Sequence, residues 1–253
     1  MCLLRERRLS SEVVGVGAGG DVTKLFDKVI EEELIHSIVD TLNDVLVVSE
    51  EVGVKYFSKE PKWVAIIDPV DGSTNYDAGI PWVSVSVAIA PLKHEGTKVG
   101  DIELAMVGDV FRDEIYEYLR GEVKVNGRVV RRLKAPKNVL LGYFETPEAY
   151  SVIPKYFRVR GARAALRSLG SIALEIIYVG LGRAELLTDL RAKVRNLDIA
   201  AAYRIAEALG ARGVMCDGLP ISELRIDELI RVKCLVVAYN DEVLKRVLKV
   251  IND

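Results

Sequence analysis

Apolar residues recur along this chain with two periods, and the alternation between them marks out its elements. Over residues 21–42 the period is helical: Leu25, Phe26, Val29, Leu34, Ile35, Ile38 and Leu42 share one broad face, and the charges of residues 27–33 lie mostly on the other. The spacing predicts an amphipathic helix. Residues 45–49 read as a short strand that leads to Glu50 and Glu51 and is broken at Gly53. The run from Trp63 to Ile67 suits a buried strand, and Asp68-Pro69 is expected to end it, because proline has no N–H for the ladder. The stretch VSVSVAIA (83–90) alternates and then becomes wholly apolar, as a central strand can. Strands follow at 103–111 and 114–119, and Asn126-Gly127 between 122–125 and 128–130 signals a hairpin.

Near Ala135-Pro136 the pattern changes. Strands are expected at 139–144, 157–160, 184–188, 212–215 and 234–238, and helices at 147–156, 171–179, 198–208 and 242–251. Residues 1–136 thus look α+β with an antiparallel sheet, and residues 137–253 look α/β.

Composition narrows the class. The chain has 253 residues, half of them apolar and 28% charged, as in a soluble globular protein. A formal net charge of −2 argues against a nucleic-acid or membrane-surface binder. No apolar run approaches the roughly 18 residues of a membrane span, and the start MCLLRERRLSS lacks a signal-peptide core, so a cytoplasmic location is expected. Two histidines exclude a histidine-rich metal centre. Cys216 and Cys234 read as small core residues, since only the fold could bring them within disulfide range. The absence of glutamine beside plentiful Lys, Arg and Glu leans towards a thermophilic source.

The chemistry concentrates in WVAIIDPVDGSTNY (63–76), where two aspartates three apart meet a glycine, two hydroxyls and an amide at a strand end. Glu50 and Asp198 also sit at the ends of apolar elements. Each has a plain explanation alone: a turn pair, a solvated strand end, a helix N-terminal carboxylate. Together they form an oxygen-only donor set, which suits Mg²⁺ before Mn²⁺ or Ca²⁺. Carboxylates without a nucleophilic cysteine or histidine base point to metal-assisted hydrolysis, and Gly72, Ser73 and Thr74 could aim amides at a phosphate.

VSEEVG (48–53), DPVDGSTN (68–75), LRSLGSIALEI (166–176) and LDIAAAYRIAEALGA (197–211) resemble the motifs of the inositol monophosphatase family. GDVTKLFDKVIEEELI (20–35) is similar to its first ordered loop and second helix. The superfamily also holds fructose-1,6-bisphosphatases and 3′-phosphonucleotide phosphatases, and the overall look is nearest the archaeal dual-activity branch. The resemblance implies a layered αβαβα sandwich, with the N-terminal half (1–136) carrying metal-binding loops. The C-terminal half (137–253) would contribute substrate contacts and the last metal aspartate. It implies that Glu50, Asp68 and the Val70 carbonyl hold one Mg²⁺, and that Asp68, Asp71 and Asp198 hold a second. Ser73, where threonine is usual, would orient the attacking water with Glu50, and Gly72 and Ser73 would contact phosphate. Asp71 and Gly170, Ser171 and Ile172 would touch substrate. Two or three Mg²⁺ per site are implied, with Mn²⁺ able to substitute, and a homodimer acting on a sugar or inositol phosphate.

Three departures stand out. Only about a dozen residues precede the loop, where the family places its first helix. Gly19 stands where archaeal relatives often carry a loop aspartate, a role that Asp21 could take over. Leu197 replaces a frequent tryptophan. Arg191 lies where inositol-specific relatives tend to have glutamate, and with Arg167 and the neighbouring Arg158, Arg160 and Arg163 it suggests a second phosphate. Tyr156 is expected to close that pocket.

The function expected is thus hydrolysis of fructose 1,6-bisphosphate, inositol 1-phosphate or both. An inositol-specific enzyme or a 3′-phosphonucleotide phosphatase is the alternative, and a catalytically weak phosphate-binding regulator is the reading from another class. A haloacid dehalogenase-type aspartyl nucleophile fits poorly, because its pair is spaced D-x-D near the N-terminus and here the spacing is D-x-x-D at residue 68.

Overall fold

A computed structural model describes residues 2–5, 10, 12–18, 20 and 22–251. Helix α1 (Cys2–Arg5) and a ribbon of β1 (Val13–Val16) and β2 (Val22–Lys24) precede α2 (Leu25–Leu42). The amphipathic helix thus starts later than its period suggests. Asp27 accepts the Lys24 N–H at 3.2 Å and closes the first turn there.

The first sheet follows in chain order: β3 (Val45–Ser49), β4 (Gly53–Tyr56), β5 (Trp63–Asp71), then short helix α3 (Ser73–Ala78), β6 (Ser84–Pro91), β7 (Leu104–Asp109), β8 (Glu114–Leu119), β9 (Glu122–Val125) and β10 (Arg128–Val129). Its eight strands run β10-β9-β8-β7-β6-β5-β3-β4, antiparallel except for β3 beside β5. Gly53, expected to break a strand, instead opens β4 at the turn of a hairpin with β3.

The second sheet contains β11 (Val139–Tyr143), then after α4 (Pro147–Arg160), β12 (Ala165–Arg167), and after α5 (Ile172–Gly180), β13 (Leu186–Asp189). Helix α6 (Asn196–Ala208), β14 (Arg212–Met215), β15 (Leu235–Ala238) and α7 (Asp241–Ile251) complete the chain. The order is β12-β11-β13-β15-β14, with both partners of β11 parallel to it.

Burial stacks these elements as five layers. Ile35 and Ile38 of α2 pack on Val45, Val47, Ala65 and Ile67 of the first sheet. Helices α5 and α6 fill the space between the sheets in the largest core. Their axes approach closely because Gly180 meets Ala206: a Cβ on Gly180 would lie 2.7 Å from the Ala206 Cα. Val152 and Tyr156 of α4 and Val243 and Val247 of α7 cover the outer face of the second sheet. This is the expected αβαβα sandwich. Among the described residues no helix is long and apolar enough to cross a membrane.

Two expectations are corrected. Residues 157–160 are the last turn of α4, which runs from its Thr146 cap to Gly161, a left-handed C-cap at φ 77°. The alternation in FRVR mimics a strand, but Tyr156 and Val152 share a buried helix face. Cys216 and Cys234 form a disulfide, Cα atoms 5.3 Å apart, because their neighbours Met215 and Leu235 are register partners.

Candidate active site

Strand β5 does not stop at Asp68-Pro69. It continues to Asp71 through a bulge, in which Asp68 faces Ser86 and Asp71 faces Ser84 of β6. Three steps on one strand against two on the other return both aspartates to one side, where a regular strand would send them to opposite faces. The bulge also accommodates Pro69, since its missing N–H falls where the ladder is interrupted. Val70 donates its N–H to Asp68 Oδ1 at 3.1 Å and fixes that carboxylate.

Gly72 then turns the chain at φ 95°, and a Cβ there would lie 3.0 Å from the carbonyl oxygens of Gly170 and Trp82. Only glycine serves both demands. The turn delivers Ser73, Thr74 and Asn75 to the start of α3, where the first backbone amides have no partner within the helix. Asn75 donates to the carbonyls of Trp82 (2.8 Å) and Leu169 (2.7 Å), tying this loop to residues 168–171.

Asp71 is held from the start of α5. It accepts from Ser171 Oγ (2.5 Å), Ala173 N (2.8 Å), Ile172 N (3.2 Å) and Ser84 Oγ (3.2 Å). Burial still raises its pKa above the usual carboxylate range, with these hydrogen bonds working in the opposite sense. Asp198, third residue of α6, accepts the Arg195 N–H at 2.7 Å. Burial pushes it up to about 8, aided by the charges of Asp71 and Glu50. Asp68 is also raised well above the usual carboxylate range, first by burial and then by Asp71, Asp198 and Glu50. Glu50, in the turn after β3, accepts from Arg195 Nη1 at 3.0 Å.

All four carboxylates, with Val70, Gly72, Ser73, Gly170 and Ile172, line one cavity of about 410 Å³. Among the described residues no three acidic, histidine or cysteine side chains are already drawn around a single point. Asp71 is engaged by α5 and Glu50 by Arg195. A hard divalent cation fits this set, since it has oxygen donors only and a buried repulsion that positive charge would relieve.

Ser171 stands behind the cavity on Asp71. Arg191 lines the cavity, its guanidinium 3.9 Å over the Tyr143 ring and bound to buried Asp189 through Nε (3.1 Å) and Nη2 (2.6 Å). Arg167 lies in an adjoining cavity. Tyr156 is not at the site: it is buried across the second sheet and donates to Glu185 Oε1 at 2.6 Å. Arg160 pairs with the same Glu185 and Arg158 is exposed, so neither reaches the cavity. Asp21 and Gly19 lie outside the described residues, and Leu197 is buried in the main core.

Three residues not anticipated from the sequence support the site. Arg195 links Asp198 to Glu50. Tyr143 lines the cavity and its hydroxyl accepts the Gly170 N–H at 2.9 Å. Glu175, fully buried and pushed up to about 8 by burial, accepts the Leu169 N–H at 2.8 Å. The signal for Glu175 was a lone carboxyl in the apolar run IALEIIYVG; Tyr143 carried none.

Buried carboxylates that call for a cation, set beside the amide end of a short helix that can receive an anion, are the working parts of a phosphoric monoester hydrolase. The relatives agree. Residues 3–248 match the model of the inositol monophosphatase family, and the chain belongs to that family. An inositol-1-monophosphatase of Aeropyrum pernix is 34% identical, over 97% of this chain and 90% of the relative. A bifunctional NADP phosphatase/NAD kinase of Methanococcus maripaludis is 30% identical, over 94% of this chain and 44% of the relative. The crystal structure of the MJ0109 gene product, an inositol monophosphatase–fructose 1,6-bisphosphatase, superposes with a TM-score of 0.77 at 29% identity. It covers 97% of this chain and 90% of the other.

Proposed function

We propose that the protein is a Mg²⁺-dependent phosphatase of fructose 1,6-bisphosphate and inositol 1-phosphate, working as a homodimer. The observation that carries this is the convergence of Glu50, Asp68, Asp71 and Asp198 on one cavity beside the start of α3. Glu50, Asp68 and the Val70 carbonyl would hold one cation, and Asp68, Asp71 and Asp198 a second, with Asp68 shared. When bound, Mg²⁺ supplies charge neutralisation at the phosphate and a lowered pKa for the attacking water; Mn²⁺ offers the same chemistry. Glu50 and the Ser73 hydroxyl would orient that water. Gly72 and Ser73 would receive the phosphate, and Gly170 and Ile172 would bound the ring of the leaving group.

Arg191 supports the bisphosphate half of this reading. Asp189 holds its guanidinium from one edge and Tyr143 supports its face, leaving a fixed planar donor at the cavity wall. The relatives' names favour the same pair of substrates: the A. pernix protein is an inositol-1-monophosphatase and the MJ0109 product carries both activities. The test is Arg191→Glu. Turnover of fructose 1,6-bisphosphate is expected to fall about 10- to 100-fold relative to inositol 1-phosphate, the size of a lost charge-assisted pair. An unchanged ratio would remove Arg191 from substrate selection.

A further inference from the structure

Arg195 reaches two of the cavity's four acidic side chains with its two ends. Its backbone N–H donates to Asp198 Oδ2 at 2.7 Å, and its Nη1 donates to Glu50 Oε1 at 3.0 Å. Both sides of the second contact are anchored independently. Backbone pairs pin the chain on either flank of Arg195: the Asn196 N–H donates to the Ile230 carbonyl at 2.9 Å, and the Val232 N–H to the Val194 carbonyl at 2.7 Å. The turn that carries Glu50 is held from α2, where buried Glu31 accepts the Glu51 N–H at 3.0 Å. The ion pair thus joins two prepositioned elements, and the Arg195 side chain is only 6% exposed, against 25% for Glu50.

Arg191 and Lys193 also line the cavity, but their charges are matched by Asp189 and Glu145 outside the acidic quartet. Arg195 places its charge on a carboxylate of the quartet itself. A carboxylate has lone pairs enough to accept from a guanidinium and still face a cation, so the ion pair and a bound cation are compatible. Two effects then oppose each other. Fixing one glutamate side chain in place favours cation binding by at most about 30-fold, the entropy of its rotamers. A buried positive charge beside a cation's ligand disfavours it by on the order of 1,000-fold, the repulsion of unit charges about 4 Å apart at an effective dielectric of about 20. Repulsion is the larger effect. We propose that Arg195 is a positioning residue that sets the cation affinity of the cavity: its charge weakens cation binding while its hydrogen bond fixes Glu50 for the attack on phosphate. The inference rests on the phosphatase reading above and adds to it the residue that limits metal affinity.

The test is calorimetric titration of substrate-free wild type, Arg195→Met and Arg195→Lys with Mg²⁺, beside phosphate release from inositol 1-phosphate. Methionine fills much of the buried stem, retains the backbone N–H that Asp198 accepts, and removes the charge. It should tighten Mg²⁺ binding about 10- to 100-fold, the net of the two effects. At saturating Mg²⁺ its kcat should fall about tenfold with KM little changed, because Glu50 is no longer held. Lysine retains the charge and should keep Mg²⁺ affinity within about threefold of wild type. A methionine variant that binds Mg²⁺ no more tightly than wild type overturns the inference; one that folds only with Mg²⁺ present supports it. If methionine does not fold in either condition, lysine decides. Affinity kept near wild type supports the role of charge, and a shift of about tenfold or more in either direction overturns it. Wild type that neither binds Mg²⁺ nor releases phosphate overturns the phosphatase reading and this inference with it.

Discussion

Replacing Asp198 by asparagine separates what the acidic cavity does for function from what it costs the fold. The substitution keeps an oxygen to accept the Arg195 N–H, now 2.7 Å from Asp198 Oδ2, and removes only the charge. Burial, with Asp71 and Glu50, moves the Asp198 carboxyl from the usual 3.8 to about 8. At pH 8 such a displacement penalises the metal-free fold by at most ~5 kcal/mol. The asparagine amide must also be desolvated, and Asp68 and Asp71 repel each other with or without Asp198. We therefore expect a gain of about 2 kcal/mol, or roughly 4–8 °C in Tm for a chain of this size. Between pH 4 and 8 the folded wild type binds a proton that the unfolded chain has released. Its stability in chelator therefore falls as pH rises through that window, and asparagine flattens the slope. Mg²⁺ should reverse the ranking, because binding to the native state alone stabilises the wild type and the variant has lost a ligand. Thermal melts at pH 5 and pH 8, in chelator and in Mg²⁺, read all of this. A variant that melts below the wild type in chelator at pH 8, or keeps the wild-type slope, would refute the reasoning.

Two further outcomes follow from the same geometry. Glu175→Leu leaves the part-buried Leu169 N–H without its 2.8 Å acceptor, which should cost about 1–3 kcal/mol in a denaturant titration. Because that loop carries Gly170 and Ser171, kcat should fall more than KM rises. The Cys216–Cys234 disulfide closes a loop of sequence separation 18. Carbonyls of Arg225 and Glu228 within it accept from Asn196 Nδ2 at 2.9 and 2.6 Å, just before Asp198. Serine at both cysteines should lower stability by about 3 kcal/mol in calorimetry without reductant, and reductant should erase the difference from wild type.

Local signals carried much of this protein, and the exceptions share a cause. The turn at Gly72 and the hairpin at Asn126-Gly127 are written in residues that admit few conformations. The acidic positions were visible because a motif of fixed spacing holds them. The bulge in β5 was not, because its register is set by β6, and Pro69 taken alone reads as a stop. Residues 157–160 alternate like a strand, and only the packing of Tyr156 against Glu185 shows that α4 continues through them. Tyr156 consequently lies across the second sheet from the pocket that the strand-like pattern expects it to close. The disulfide needed the pairing of β14 with β15. Arg195 and Tyr143 act through contacts with residues far away in the chain, 145 positions in the case of Arg195 and Glu50.

The most direct measurement is phosphate release from inositol 1-phosphate and fructose 1,6-bisphosphate, with and without Mg²⁺, by wild type and Asp71→Asn. Asparagine would present an amide where Asp71 now accepts four hydrogen bonds and would remove one charge from the cation site. The expected result is wild-type turnover that requires Mg²⁺ and falls at least about a hundredfold in the variant. Turnover that persists in chelator, or that survives Asp71→Asn, would contradict metal-assisted hydrolysis at this cavity.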